Sequence, residues 1–226
     1  IIAPGEVLGL VGESGSGKST CAQIVLGLLE NDAGSVQLLG QPWSGLRESA
    51  RRPLRTQLQY IPQDPLSSFD PRYSVRQVIA ENLGRATREE ATRRVYALLE
   101  QVGLPAALAG RAPRTLSGGQ RQRVAIARAL AAEPALIVCD EPVSALDISV
   151  QAQVIDLIAE LQSRLGTALL FISHDIPLVH HIADRVLVLH QGREVEQGTV
   201  DEVFLRPTQA YTRTLLDAVP PPLRPA

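Results

Sequence analysis

The residues with the clearest chemical capacity stand in one short run, Gly12-Glu13-Ser14-Gly15-Ser16-Gly17-Lys18-Ser19, followed by Thr20. Its G-x-x-x-x-G-K-[ST] spacing is that of a phosphate-binding loop. Lys18 is the one lysine of the chain, against 21 arginines. A compact ammonium on a thin stem can enter a ring of backbone amides and meet β- and γ-phosphates, whereas a planar guanidinium is too wide for that hole. The glycines free the backbone to turn its N–H groups toward phosphate oxygens, the following helix points its positive end at them, and Ser19 can offer a hydroxyl to Mg²⁺. This run predicts nucleotide binding.

Three further groups have the chemistry to act on a bound phosphate. Leu116-Ser117-Gly118-Gly119-Gln120 opens a helix that continues to Leu130. Ser117 and Gln120 form an S-x-x-Q capping box, which suffices as a structural reason; a serine and two glycines at a helix N-terminus also make an anion site. Asp140-Glu141 ends an apolar run and precedes Pro142. Beside a phosphate loop, a strand-end Asp supports Mg²⁺ and a Glu just beyond it can take a proton from attacking water. His174, after Phe171-Ile172-Ser173, is either a surface histidine or a group that orients water or contacts the γ-phosphate.

These residues need elements to hold them. Val7 to Val11 reads as a buried strand entering the loop, and Cys21 to Leu29 as the helix leaving it. Ala135 to Cys139 and Ala168 to Ile172 are continuous apolar runs, the pattern of parallel strands covered on both faces. Ligands bind beyond the carboxyl ends of such strands, which places Asp140, Glu141, His174 and Asp175 toward Lys18. Residues 152–165 read as a helix, 184–200 as a hairpin around Gln191-Gly192, and 220–226 as a mobile tail. From about 75 to 130 the pattern is helical, with Val95, Leu98, Leu99 and Val102 on one face. Thr87 to Glu90 reads there as a capping box, and Glu89–Arg93 and Glu90–Arg94 as i,i+4 pairs.

At 226 residues and 45% hydrophobic, the chain can bury a substantial core as one domain or as a domain with an insertion. A net charge of −2 with scattered arginines disfavours nucleic acid as a partner. Two cysteines, Cys21 and Cys139, fall in elements expected to be buried and argue against a disulfide framework. No apolar run approaches the ~20 residues that span a bilayer, and no signal peptide opens the chain. The absence of methionine and a start inside a strand-like pattern lead us to expect a fragment without its natural beginning.

Together the motifs resemble an ATP-binding-cassette (ABC) ATPase: the phosphate loop 12–19, a glutamine loop at Tyr60-Ile61-Pro62-Gln63-Asp64-Pro65, a signature at 116–120, Asp140 with Glu141, Ser144-Ala145-Leu146-Asp147, and His174. The resemblance covers nearly the whole chain. It implies an α/β fold, a P-loop NTPase (RecA-like) core of mostly parallel sheet with an inserted α-helical signature subdomain. The single ABC ATPase domain, 1–226, would divide into a catalytic core, 1–72 and 131–226, and a helical subdomain, 73–130. It implies head-to-tail pairing with a second ATPase subunit, ATP being held between the phosphate loop of one copy and the signature of the other. Lys18 and Ser19 would then bind phosphates and Mg²⁺, Gln63 would sense Mg²⁺ and the attacking water, Asp140 would support Mg²⁺, and Glu141 would be the general base. His174 would stabilise the closed state, Asp147 would communicate across the interface, and Ser117 and Gly119 would touch the partner's γ-phosphate. Such proteins also stack adenine on an aromatic residue upstream of the loop, and neither Ile1 nor Ile2 can do that.

Three segments, Gln63 to Arg72, Glu141 to Gln153 and Ala210 to Leu216, resemble the oligopeptide/dipeptide/nickel importer ATPases. That branch implies membrane permease subunits as partners, indirectly a substrate-binding protein, and a cytoplasmic position on the inner face of the cell membrane. Phe69, beside the glutamine loop, is read either as a partly exposed docking aromatic or as a buried loop anchor. A cassette ATPase of a soluble metabolic complex, similar to phosphonate-lyase accessory proteins, is the alternative. A chromosome-maintenance ATPase is disfavoured because no sustained heptads separate Lys18 from Ser117.

Overall fold

Val7–Val11 and Ala168–Ile172 are buried at every position and pair in parallel, Val7 opposite Leu169 through Leu10 opposite Ile172. A strand without one polar face must be covered on both sides, and helices do that here. The structure, a computed structural model, describes residues 1–219; the tail at 220–226 lies outside the described residues.

The chain opens with β1 (Val7–Val11) and α1 (Lys18–Val25), then a small hairpin, β2 (Gln37–Leu38) and β3 (Gln41–Pro42), a short α2 (Glu48–Arg51) and β4 (Leu58–Ile61). Three helices follow without a described strand between them: α3 (Val75–Ala80), α4 (Arg88–Gln101) and α5 (Gly118–Leu130). The second half runs through β5 (Leu136–Asp140), α6 (Ile148–Leu165), β6 (Ala168–Ile172), α7 (Ile176–Ile182), β7 (Arg185–His190), β8 (Arg193–Thr199), α8 (Val200–Leu205) and α9 (Ala210–Asp217). One six-stranded sheet has the order β4-β5-β6-β1-β7-β8. Its pairings are parallel as far as β7, and only β7 with β8 is antiparallel. The carboxyl ends of β4, β5, β6, β1 and β7 therefore share one edge.

α1 is shorter than its apolar run suggests. It ends at Val25, and Gly27 takes a left-handed φ of +67° that turns Leu28 and Leu29 outward, 67% and 44% exposed. Three side chains satisfy the carbonyls at this end: Trp43 Nε1 donates to Val25 O (2.8 Å), Arg51 to Gly27 O (2.7 Å) and Arg55 to Leu26 O (3.3 Å). Both guanidinium groups also lie within 6 Å of the centroid of the fully buried Trp43 ring, at 5.9 and 5.6 Å. α6 begins four residues earlier than its pattern indicates, because Asp147 already has the extended conformation of an N-cap.

The helices of 75–130 share one continuous core with the sheet, running from Val78 and Leu99 through Val124 and Ile126 to Ile137 and Phe171. The Thr87–Glu90 capping box forms, but the i,i+4 pairs read from the sequence do not. Glu90 spends its carboxylate on Thr87 N (2.8 Å), and Arg94 reaches out of its helix to Glu133 (2.7 Å). Cys139 is fully buried, whereas Cys21 is only partly so.

Phe69 is the buried anchor of the two readings, 5% exposed. Arg128 lies over its ring, 4.9 Å from the centroid, and donates to Ser68 O (2.9 Å) and Ser68 Oγ (2.8 Å). The aromatic thus clamps the segment after Gln63 onto α5. Phe69→Ala is expected to destabilise the fold by about 3–5 kcal/mol through the cavity it leaves, read as a lowered denaturant midpoint; an unchanged midpoint would show the ring to be dispensable.

Candidate active site

The phosphate loop leaves β1 at Gly12, whose φ is +154° and where a Cβ would meet Leu189 O at 2.2 Å, so only glycine fits. Gly17, at φ +104°, turns the chain into α1. Lys18 is buried, and its Nζ donates to Gly12 O (2.7 Å) and Glu13 O (2.9 Å), spanning the start of the loop. Burial lowers its pKa, and the charges of Glu141 and Asp140 oppose that shift. Glu13, Ser14, Gly15, Ser19 and Thr20 are exposed around it.

Asp140 sits at the end of β5 with its Oδ2 accepting from Tyr60 OH (3.4 Å). Burial raises its carboxyl pKa, and the neighbouring Glu141 raises it further, against Tyr60, Lys18 and a hydrogen bond from Ser19. The Tyr60 phenol is in turn pushed up to about 12 by burial and by Asp140. Two adjacent acids in a half-buried place favour a cation beside them. Among the described residues no cluster of three His, Cys, Asp or Glu could hold a metal by itself. The Ser19 hydroxyl reaches Asp140, and a hydroxyl beside a carboxylate is the kind of sparse oxygen donor set that a hard divalent cation accepts.

Glu141 stands at φ +47°, a left-handed conformation that costs a non-glycine residue on the order of 1 kcal/mol or more. Its N–H donates to Ile172 O (2.9 Å), extending the β5–β6 ladder by one bond before the chain turns at Pro142. That turn swings the side chain between two partners. His174 Nδ1 lies 2.9 Å from Oε1, and Gln63 Nε2 donates to Oε2 (3.3 Å) and to Ser144 Oγ (3.1 Å). Glu141 is 20% exposed and His174 60%, so the pair opens to solvent. Asp175 does not join them; it caps α7, accepting from Leu178 N (3.2 Å).

The 116–120 segment forms the capping box read from its sequence, with Ser117 Oγ accepting from Gln120 N (3.3 Å) and Gln120 Oε1 from Ser117 N (3.1 Å). Its glycines allow two helix starts to touch. A Cβ on Gly118 would come within 3.0 Å of Leu146, and one on Gly119 within 2.6 Å of Val150. Leu116 is buried beneath them. Ser117, Gly118 and Asp147 are exposed on this face, together with Ile148, which is 85% exposed.

The structure thus brings Lys18, Gln63, Asp140, Glu141 and His174 to one edge of the sheet, and sets 116–120 against 146–150 as a second group. Sequence reasoning missed three contributors: Tyr60, Ser144 and Tyr211, whose hydroxyl accepts from Glu13 N (3.3 Å). All three lay inside runs already singled out, but without a role in the site. Tyr211 is 198 residues from its partner, beyond any local pattern.

The family model described as ABC transporter matches residues 1–144. The oligopeptide transport ATP-binding protein OppF of Escherichia coli K12 is 50% identical over 222 residues, 96% of this chain and 66% of that protein, so the chain spans just under two thirds of this relative's length. Among solved structures, cbiO1 from Clostridium perfringens, part of the ABC transporter complex cbiONQ, superposes with a TM-score of 0.82 at 30% identity over 98% of this chain and 87% of that one. The ATP-binding cassette MJ0796, as a post-hydrolysis dimer bound to ADP and Pi, gives 0.80 at 29% identity over 88% of each. A strand–loop–helix phosphate site, acids at the end of the neighbouring strand and a matching family model lead to one assignment: the chain belongs to the ABC transporter family and has the α/β fold of its ATP-binding cassettes.

Proposed function

We propose that this chain binds and hydrolyses ATP to power an importer, with peptides as the cargo. The observation that carries the reading is the convergence on Glu141: a carboxylate held from both sides by His174 and Gln63, beside the Lys18 loop. In this reading residues 12–20 hold the phosphates, and Ser19, Gln63 and Asp140 would hold Mg²⁺, which when bound would supply charge neutralisation to the nucleotide. Glu141 takes the proton of the attacking water. His174 fixes the orientation of its carboxylate.

One copy leaves the site half-built. The 116–120 face with exposed Asp147 and Ile148 suits a second ATPase subunit, so that Ser117 and Gly119 of one copy close over nucleotide on the other. The catalytic core would be 1–72 and 131–226, with 73–130 as its inserted helical subdomain. Likeness to OppF favours a peptide cargo over nickel, permease subunits as membrane partners, a substrate-binding protein as indirect partner, and a place on the inner face of the cell membrane. Among the described residues no helix is long and apolar enough to cross a membrane. Since Phe69 is buried, it is not a docking aromatic for a permease segment.

The test is reconstitution of the full-length protein with its co-purifying membrane subunits in vesicles. MgATP inside is expected to drive uptake of a labelled oligopeptide. ATP hydrolysis without uptake of any peptide would overturn the importer reading.

A further inference from the structure

We infer that Tyr211, on α9, the last helix among the described residues, is a positioning residue for the phosphate loop. The peptide unit between Gly12 and Glu13 is held at both of its polar ends. Its carbonyl, Gly12 O, accepts from Lys18 Nζ at 2.7 Å, and its N–H donates to Tyr211 Oη at 3.3 Å. Rotation of that plane would withdraw the acceptor that aims the Lys18 ammonium, and Gly12, lacking a Cβ, offers little resistance of its own to rotation. The Tyr211 hydroxyl supplies the resistance.

The tyrosine is itself anchored. Its ring lies against His190, with centroids 3.9 Å apart and planes at 35°. His190 ends β7, at the same sheet edge as the loop, and Gly192 in the adjoining turn donates to Ser16 O at 2.8 Å. The entry to α9 is tied to β8 through Glu196, which accepts from Thr208 N (2.7 Å), Thr208 Oγ1 (2.8 Å) and Gln209 N (3.3 Å). Thr212, next to Tyr211, is fully buried. The hairpin turn and α9 therefore form one brace that meets the loop at two points, Ser16 and Glu13.

The inference rests on the nucleotide-binding reading of that loop. A binding site that is competent for only part of the time shows an apparent affinity reduced by that fraction, and bound phosphates then hold the loop whatever the brace does. Loss of the hydroxyl is thus felt before binding and not after it. With one long hydrogen bond at stake, the expected change is about two- to fivefold.

Tyr211→Phe in the full-length protein keeps the ring on His190 and removes only the hydroxyl. Three measurements are compared with wild type: hydrogen exchange at the Glu13 amide, KM and kcat for MgATP, and the thermal midpoint. Faster Glu13 exchange and a raised KM, with kcat and midpoint little changed, are expected. Tyr211→Ala should raise KM further and also lower the midpoint, as ring packing is lost. Unaltered KM and Glu13 exchange in Tyr211→Phe would overturn the inference while leaving the nucleotide reading intact. Failure of the wild-type protein to bind MgATP would overturn both.

Discussion

Glu141→Gln is expected to lower ATP turnover by about 10²–10⁴, the usual worth of a general base, while ATP binding persists. The amide has the size and shape of the carboxylate, so contacts to His174 and Gln63 can be remade, but it cannot accept a proton from water. ATP should then accumulate at the site and hold two copies together, seen as an ATP-dependent shift from monomer to dimer in light scattering. The geometry also sets a control. His174 reaches Glu141 through Nδ1 at 2.9 Å and is 60% exposed, which makes it a partner that orients the carboxylate. His174→Ala should therefore cost turnover without trapping the dimer as firmly. Near wild-type hydrolysis in Glu141→Gln would remove Glu141 as the base, and an equal loss with equal trapping in both variants would assign the proton to the pair acting as a unit.

Much of this arrangement was legible in the sequence because each motif sits where an element changes. A parallel strand shows itself as an unbroken apolar run, and the residue that ends the run falls at the ligand edge. Asp140 and His174 could be placed by that rule alone. Glu141 is different: its side chain turns toward His174 only because its backbone adopts φ +47°, and no pattern of residue types announces that strain. Phe69 stayed undecided because burial of a loop aromatic depends on what lies across from it, here Arg128, nearly sixty residues away. The end of α1 was misjudged for a related reason. Leu28 and Leu29 continue the apolar count, but the helix has already been closed by Gly27 and by side chains from 43, 51 and 55. Signals carried by a few consecutive residues survive in the sequence; those that need a distant partner do not.

The signature glycines show why a single residue can carry two reasons at once. Gly119 has a Val150 methyl 2.6 Å from where a Cβ would be, so it is required for the contact between α5 and α6 whether or not a second copy binds. Substitution there mixes a packing defect with any loss at the interface. Asp147 and Ile148 are cleaner probes of the proposed interface, since both are exposed and neither fills the core.

Lys18 offers the second large effect. Lys18→Ala is expected to weaken ATP binding and to lower turnover by about 10²–10³, the loss typical of removing one preorganised donor from a developing charge. The ammonium is buried between Gly12 O and Glu13 O and opposes two acids, Asp140 and Glu141, that would otherwise repel an incoming triphosphate. Lys18→Arg separates charge from shape. Charge alone would restore function, but Nζ is buried and held 2.7 and 2.9 Å from the Gly12 and Glu13 carbonyls, a space that matches a compact ammonium and is too narrow for a planar guanidinium. A guanidinium there must push the loop outward, a strain of the kind that costs about 1–3 kcal/mol in packed sites. Steady-state kinetics and nucleotide titration on the three proteins decide the matter: Lys18→Arg should remain close to Lys18→Ala, and full recovery of turnover with arginine would mean that the loop yields, so that charge and not the slenderness of the lysine stem selects this residue in a chain that otherwise uses arginine.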